Sequence, residues 1–348
     1  VARVRAAQMS PFGGGTTCTE RGQHIFVEEL ARFAAATDDL RVKAISERAA
    51  APLRVSVQGR DGVGRATVAR AVDAAPDIEV RSANRAEVVL YVTAEVVKPE
   101  DRDALRDIGA PVVVVLNKAD LCGFAAGGPI AAAGARCARL SDLVARPVLP
   151  MIGLLAVAVL DEAAWAVLAG LAVHPAGAAC LDGGYDSFLM ARLPVPAQAR
   201  LRLLETLDLF GIALGVAAVR RGVSRAQVAA LLWRASGVDA VVAAVLAAGA
   251  EARYRRVLRA VAELEALAVS LPGIDAFSSC DNTVVARMAD AADVLASSGL
   301  ELGPAAPLQR AVRWQRYARG PVSDLHRACG TDIARGSLRL WPAAGETL

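Results

Sequence analysis

Gly59 and Gly64 enclose four residues in GRDGVGRAT, the spacing at which a turn between a strand and a helix can wrap backbone N–H groups around a phosphate. In such loops the two positions after the second glycine hold a lysine for the outer phosphates and a hydroxyl for Mg²⁺. Here they are Arg65 and Ala66, with Thr67 one step further on. The candidate phosphate contacts are Gly59, Arg60, Asp61, Gly62, Val63, Gly64, Arg65, Ala66 and Thr67. A second constellation is Asn117-Lys118-Ala119-Asp120. The Asp120 carboxylate can accept two hydrogen bonds from the paired donors of a guanine edge, and the Lys118 stem can pack over a purine. A glycine-rich turn and a polar helix cap are the plain alternatives for the two segments. Lys118 is one of only three lysines, with Lys43 and Lys98, and that favours a role.

Both segments leave predicted strands. LRVSVQ precedes the glycine loop and RATVARAVDA follows it as a helix ending at Pro76. IEVRS and AEVVLYVTA are further strands, and KPEDRDALRDIG is a helix with Pro99 in its first turn. PVVVVLN is apolar on both faces, as buried parallel strands are. An Ala-rich helix and then RPVLPMIGLLA follow. Strands alternating with helices predict an α/β fold, a parallel sheet covered on both sides. Ligands in such sheets lie at the carboxyl ends of the strands, where both loops emerge.

Beyond Pro194 and Pro196 almost no strand signal remains, and the segments to Leu348 carry apolar residues at helical spacing. The expected organisation is a tail over 1–27, an α/β domain over 28–185 and an α-helical bundle over 197–348. VSRAQVAALLWRASGVDAVVAAVL has a helix-turn-helix outline, but its second helix offers no Arg, Asn or Gln to read bases, so a core hairpin is the better reading. Near the C-terminus Arg310, Arg313 and Arg316 step by three around Trp314, a predicted cationic stripe suited to a partner interface or an anionic lipid surface, with a solvated helix face as the plain alternative.

Composition narrows the classes. Aromatic residues make up 4% of a chain that is 55% hydrophobic, so packing relies on Leu, Val and Ala. A net charge of +3 is too small to argue for bulk nucleic-acid binding. Six scattered cysteines and three histidines show no metal-ligand spacing, so reduced thiols and no metal are expected. The most apolar run, 151–173, is interrupted by Asp161 and Glu162, whereas a spanning helix needs roughly 20 apolar residues. It reads as a buried strand followed by an amphipathic helix, in a cytoplasmic protein.

Residues 53–72, 86–94, 112–120 and 147–155 together resemble the G domain of Era-like and bacterial dynamin-like GTPases. GRDGVGRAT is similar to their GRPNVGKST, and NKAD matches their guanine-reading motif. PVLPMIGLLA resembles the final-strand region where those families carry a base-contacting loop, which adds Ile152 and Gly153 to the candidates. The resemblance implies a P-loop NTPase-like parallel sheet, a shortened G domain, followed by an all-α helical domain. Departures limit what is carried over. No D-x-x-G lies between the glycine loop and AEVVLYVTA, and the dozen or so residues between the helix after the loop and that strand are too few for a switch loop and its paired strand. The expectation is a catalytically degenerate GTPase with no catalytic residue. It would bind GTP or GDP weakly without Mg²⁺ and act as a regulatory or scaffold subunit beside an intact GTPase partner, with peripheral membrane contact and homo- or hetero-oligomers as further expectations. A slow active GTPase and an interaction module that binds no nucleotide remain the alternatives.

Overall fold

The computed structural model describes residues 18–123, 127–177, 179–181 and 183–342. Five strands form one all-parallel sheet: β1 Leu53–Gly59, β2 Ile78–Val80, β3 Val88–Ala94, β4 Val112–Asn117 and β5 Val148–Pro150, in the order β2-β1-β3-β4-β5. Helices α3 (Arg65–Asp73), α4 (Pro99–Asp107) and α5 (Gly128–Val144) alternate with them as expected. Leu105 of α4 and Cys137 and Leu140 of α5 pack with Val114 and Leu116 of β4 on one face. Val113 and Val115 point to the opposite face by strand alternation, and both are buried.

Helices α6 (Gly153–Ala156), α7 (Glu162–Val173), α8 (Gly184–Met190), α9 (Ala197–Arg220) and α10 (Arg225–Ser236) follow β5, and then α11 (Val238–Ala248) returns to β3, β4 and α3. The buried Val238, Val241 and Val245 of α11 thus close the second face of the sheet. This return decides where the chain divides. Its two compact units are Pro52–Gly249 and the combined residues before Pro52 and after Gly249. The expected boundary near 185–197 instead falls inside a helical insertion between β5 and α11. Composition cannot separate that insertion from the bundle because both are helical. The helix-turn-helix outline is the junction of α10 and α11, where Ser224 and Gln227 form a capping box and Gly237 makes the turn.

The second unit is helical: α1 (Cys18–Thr37), α2 (Leu40–Ala49), α12 (Ala250–Leu267), α13 (Ile274–Ser279), α14 (Asp281–Ser297), α15 (Pro307–Ala318) and α16 (Asp324–Leu340). Phe26, Leu30, Tyr254, Leu264, Trp314 and Ile333 share its core. The expected tail over 1–27 is helical from Cys18, and Phe26 is a core residue; residues 1–17 lie outside the described ones.

The run 151–173 also differs from expectation. The strand ends at Pro150, and the residues read as strand form α6 instead. The two acids begin α7, where the Asp161 carboxylate accepts from the Ala164 N–H at 2.7 Å, an N-cap rather than an interrupted span. Among the described residues no single helix is long and apolar enough to cross a membrane. Among the described residues, α10 and α11 are long and apolar enough only when taken together, across a 48° bend.

Candidate functional site

In this strand order the chain reverses direction across the sheet between β1 and β3, so a crevice opens at their carboxyl ends. The glycine loop leaves β1 at that crevice. Gly59 has φ +141°, and a Cβ there would stand 2.2 Å from the Val92 carbonyl of β3, so only glycine fits. Gly64, at φ +87°, is the N-cap of α3. Among the described residues no acceptor meets the N–H groups of Gly62, Gly64, Arg65 or Ala66, which leaves donors at a helix N-terminus.

The second constellation ends β4 and ties the loops together. The Asn117 carboxamide donates to the Val63 carbonyl at 2.9 Å and accepts from the Gly153 N–H at 2.9 Å. A Cβ on Gly64 would come within 2.4 Å of its Nδ2, so the glycine makes room for the amide. Lys118, with positive φ, donates through Nζ to the Gly62 carbonyl at 3.0 Å. One asparagine and one lysine therefore clamp the glycine loop to β4 and to the start of α6. Ile152 and Gly153 are buried; their role is to anchor Asn117 and, through the Ile152 N–H, to reach the Ser236 carbonyl at 2.8 Å.

Asp120 is different. Half-buried, it receives only its own backbone N–H among the described residues. Burial raises its pKa, and the nearby Asp208 adds to the rise against Lys118. Asp208 is a residue that sequence reading missed. It breaks α9 with φ 56° and ψ 176°, and it accepts from the Tyr185 hydroxyl at 2.5 Å and from the Leu209 N–H at 2.6 Å. Nothing in LETLDLFGIAL marks it, because its neighbourhood with Asp120 arises only when the helical insertion folds beside β4.

The charges of the loop are engaged within the protein. Arg60 donates through Nε to both Asp101 oxygens at 2.9 Å and through Nη2 to the Val96 carbonyl at 3.2 Å. Asp101 is fully buried, accepts from the Tyr91 hydroxyl at 2.9 Å and from the Lys98 N–H at 2.8 Å, and so caps α4. Arg60 therefore bolts the segment after β3 across the crevice instead of facing a ligand. Asp101 was legible only as the fourth residue of KPED, a capping-box acid. Arg65 pairs with Asp61, whose side chain is 96% exposed at the loop's rim. Ala66 is exposed and Thr67 half-buried on the first turn of α3.

The proposed partner stripe is not a stripe. Arg310 and Arg316 lie roughly 120° apart around α15, since each residue advances a helix by about 100°. Arg310 is 8% exposed and donates to the Ser337 hydroxyl at 2.9 Å, and Trp314 is 1% exposed with its indole on the Leu302 carbonyl at 2.7 Å. Arg313 stacks on Trp314, and Arg316 alone is exposed and without a partner among the described residues. Among the described residues no group of three or more His, Cys, Asp or Glu side chains converges as a metal site. Compared with known proteins, the chain matches no protein-family model, and no curated protein is significantly similar to it.

Proposed function

We propose that the sheet unit is a degenerate GTPase-fold module that binds guanine nucleotides without hydrolysing them, in a dynamin-related regulatory or scaffold subunit. The observation that carries this reading is the division of labour at the end of β4. Asn117 and Lys118 hold the glycine loop in place, while Asp120 keeps a carboxylate with no side-chain donor beside it. Such a carboxylate suits two convergent N–H donors and disfavours the adenine edge. The unpaired N–H groups of Gly62, Gly64, Arg65 and Ala66 suit phosphate oxygens.

Hydrolysis is not part of the proposal. It needs a metal-ligating hydroxyl and a group that places water. Ala66 supplies no hydroxyl, and the segment after β3 turns directly into α4, with the Thr93 hydroxyl on the Val96 carbonyl at 3.0 Å and Arg60 on Asp101. A second reading, an interaction module that takes no nucleotide, is favoured by Asp61, a carboxylate at the rim of the loop where phosphates would lie.

Titration with fluorescent GDP, GTP and ADP separates the two. Guanine nucleotides should bind the wild type in preference to ADP, Asp120→Ala should abolish the preference, and Asp61→Asn should tighten all three. Equal binding of ADP and GDP, indifferent to Asp120→Ala, would defeat the guanine reading. No binding by wild type or by Asp61→Asn would leave the interaction module.

A further inference from the structure

Helix α15 stands at the edge of the helical unit, and among the described elements it packs extensively against α16 alone. The two helices bury Trp314 and Ile333 inward. Along their outer seam lies a groove of about 490 Å³. Leu308 and Val312 of α15 and Leu338 of α16 give it an apolar lining, and Val312 and Leu338 remain 40% and 48% exposed. Arg319, Arg327 and Arg335 also line it, and no carboxylate does. Arg327 pairs with the exposed Asp324 at 3.2 Å, whereas Arg319 and Arg335 have no ion pair among the described residues.

We propose that this groove receives an acidic amphipathic helix of a protein partner, its apolar stripe on Leu308, Val312 and Leu338 and its carboxylates on Arg319, Arg327 and Arg335. The seam from Leu308 to Arg319 runs eleven residues, about 16 Å, so three turns of helix fill it. Apolar residues repeating at helical spacing and flanked by acids match such a groove side by side. A second copy of this chain docked by the same face would bring arginines against arginines, because a two-fold contact presents one patch to itself. Residues 1–17 carry Arg3 and Arg5 and no acid, and 343–348 hold one acid in six residues, so neither supplies the occupant. An anionic bilayer matches the charge but not a concave apolar floor between two helices. The surface is independent of the nucleotide reading.

The test uses the full chain and a labelled peptide of roughly 14 residues, with leucines at i, i+4, i+7 and i+11 and glutamates flanking them. Its control carries lysines in place of the glutamates. Fluorescence anisotropy should show the acidic peptide binding the wild type and at least tenfold more weakly to the combined variant Arg319→Glu, Arg327→Glu, Arg335→Glu. That variant should now prefer the lysine peptide. Val312→Asp should weaken the acidic peptide on the wild-type charge pattern, and it decides the matter alone if the triple variant does not fold. Equal affinity for both peptides, or acidic-peptide binding unchanged in Val312→Asp, overturns the proposal. So does binding to phosphatidylcholine vesicles containing phosphatidylglycerol with no peptide binding, or a dimer that Val312→Asp dissociates.

Discussion

The two units each set an arginine beside a buried tyrosine and a buried aspartate, and they use them differently. In the helical unit Tyr254 of α12 donates to Asp332 of α16 at 2.9 Å, and Arg287 of α14 grips the same carboxylate with two donors, at 2.8 and 3.1 Å. Three helices are joined by one carboxylate, with Arg287 almost buried. In the sheet unit Tyr91 and Arg60 meet Asp101, but Arg60 gives it a single nitrogen and sends another to the Val96 carbonyl. The first trio fixes packing between elements. The second fixes the shape of a loop at the mouth of the candidate site, and its arginine keeps contact with water. Burial raises the pKa of both tyrosines, and the neighbouring aspartate adds to it, so the phenols stay donors. Asp290 of α14 is the counterexample: it is buried, and one of its oxygens meets no partner among the described residues.

The sharpest break of this comparison is Asp332→Ala. It strands Arg287 in a nearly closed site, and removing one partner of a buried pair costs about 3–5 kcal/mol. Chemical denaturation should show the helical unit losing that much. Asp101→Ala should cost less, about 2–3 kcal/mol, because Arg60 can turn towards solvent while Tyr91 and the Lys98 N–H lose their acceptor. Hydrogen exchange should rise in 93–101, the segment the aspartate holds, and an equal cost for the two variants would mean that the difference in burial does not matter. The smallest effect has the opposite sign. Burial, then Asp293, pushes the Asp290 carboxyl well above its ordinary range against the pull of Arg253. A raised folded-state pKa means that Asp290 favours folding least once pH exceeds that value, and it does no harm below about pH 4, where it is protonated in both states. Asp290→Asn should therefore add on the order of 1–2 kcal/mol at neutral pH, with the gain fading as pH falls through the carboxylate range. A pH-independent difference would break that account.

The same contrast separates what was legible from what was not. The unbroken apolar run VVVVL, the β-branched AEVVLYVTA and Pro99 in KPED identified β4, β3 and α4 because those signals act within a few residues. Gly59, Gly64, Asn117, Lys118 and Asp120 were singled out as candidates for a similar reason: their spacing within each loop is itself the signal. The Arg310 stripe was misplaced because a three-residue step predicts a helix but not which side of it faces the core. The boundary was misplaced because one apolar helix looks like another until α11 is seen closing the sheet.

By itself, then, the sequence determined the strand and helix periods, the positive-φ turns that glycine must occupy, and the residue types at the ends of β1 and β4. Those properties arise from steric and hydrogen-bonding preferences of neighbouring residues. Only the tertiary structure decided that Asn117 would hold Val63 and Gly153, that Arg60 would serve Asp101 rather than a phosphate, and that Asp208 would stand near Asp120. Each of those pairings joins residues from separate elements, and a side chain's partner there depends on which elements pack together to bury their apolar faces.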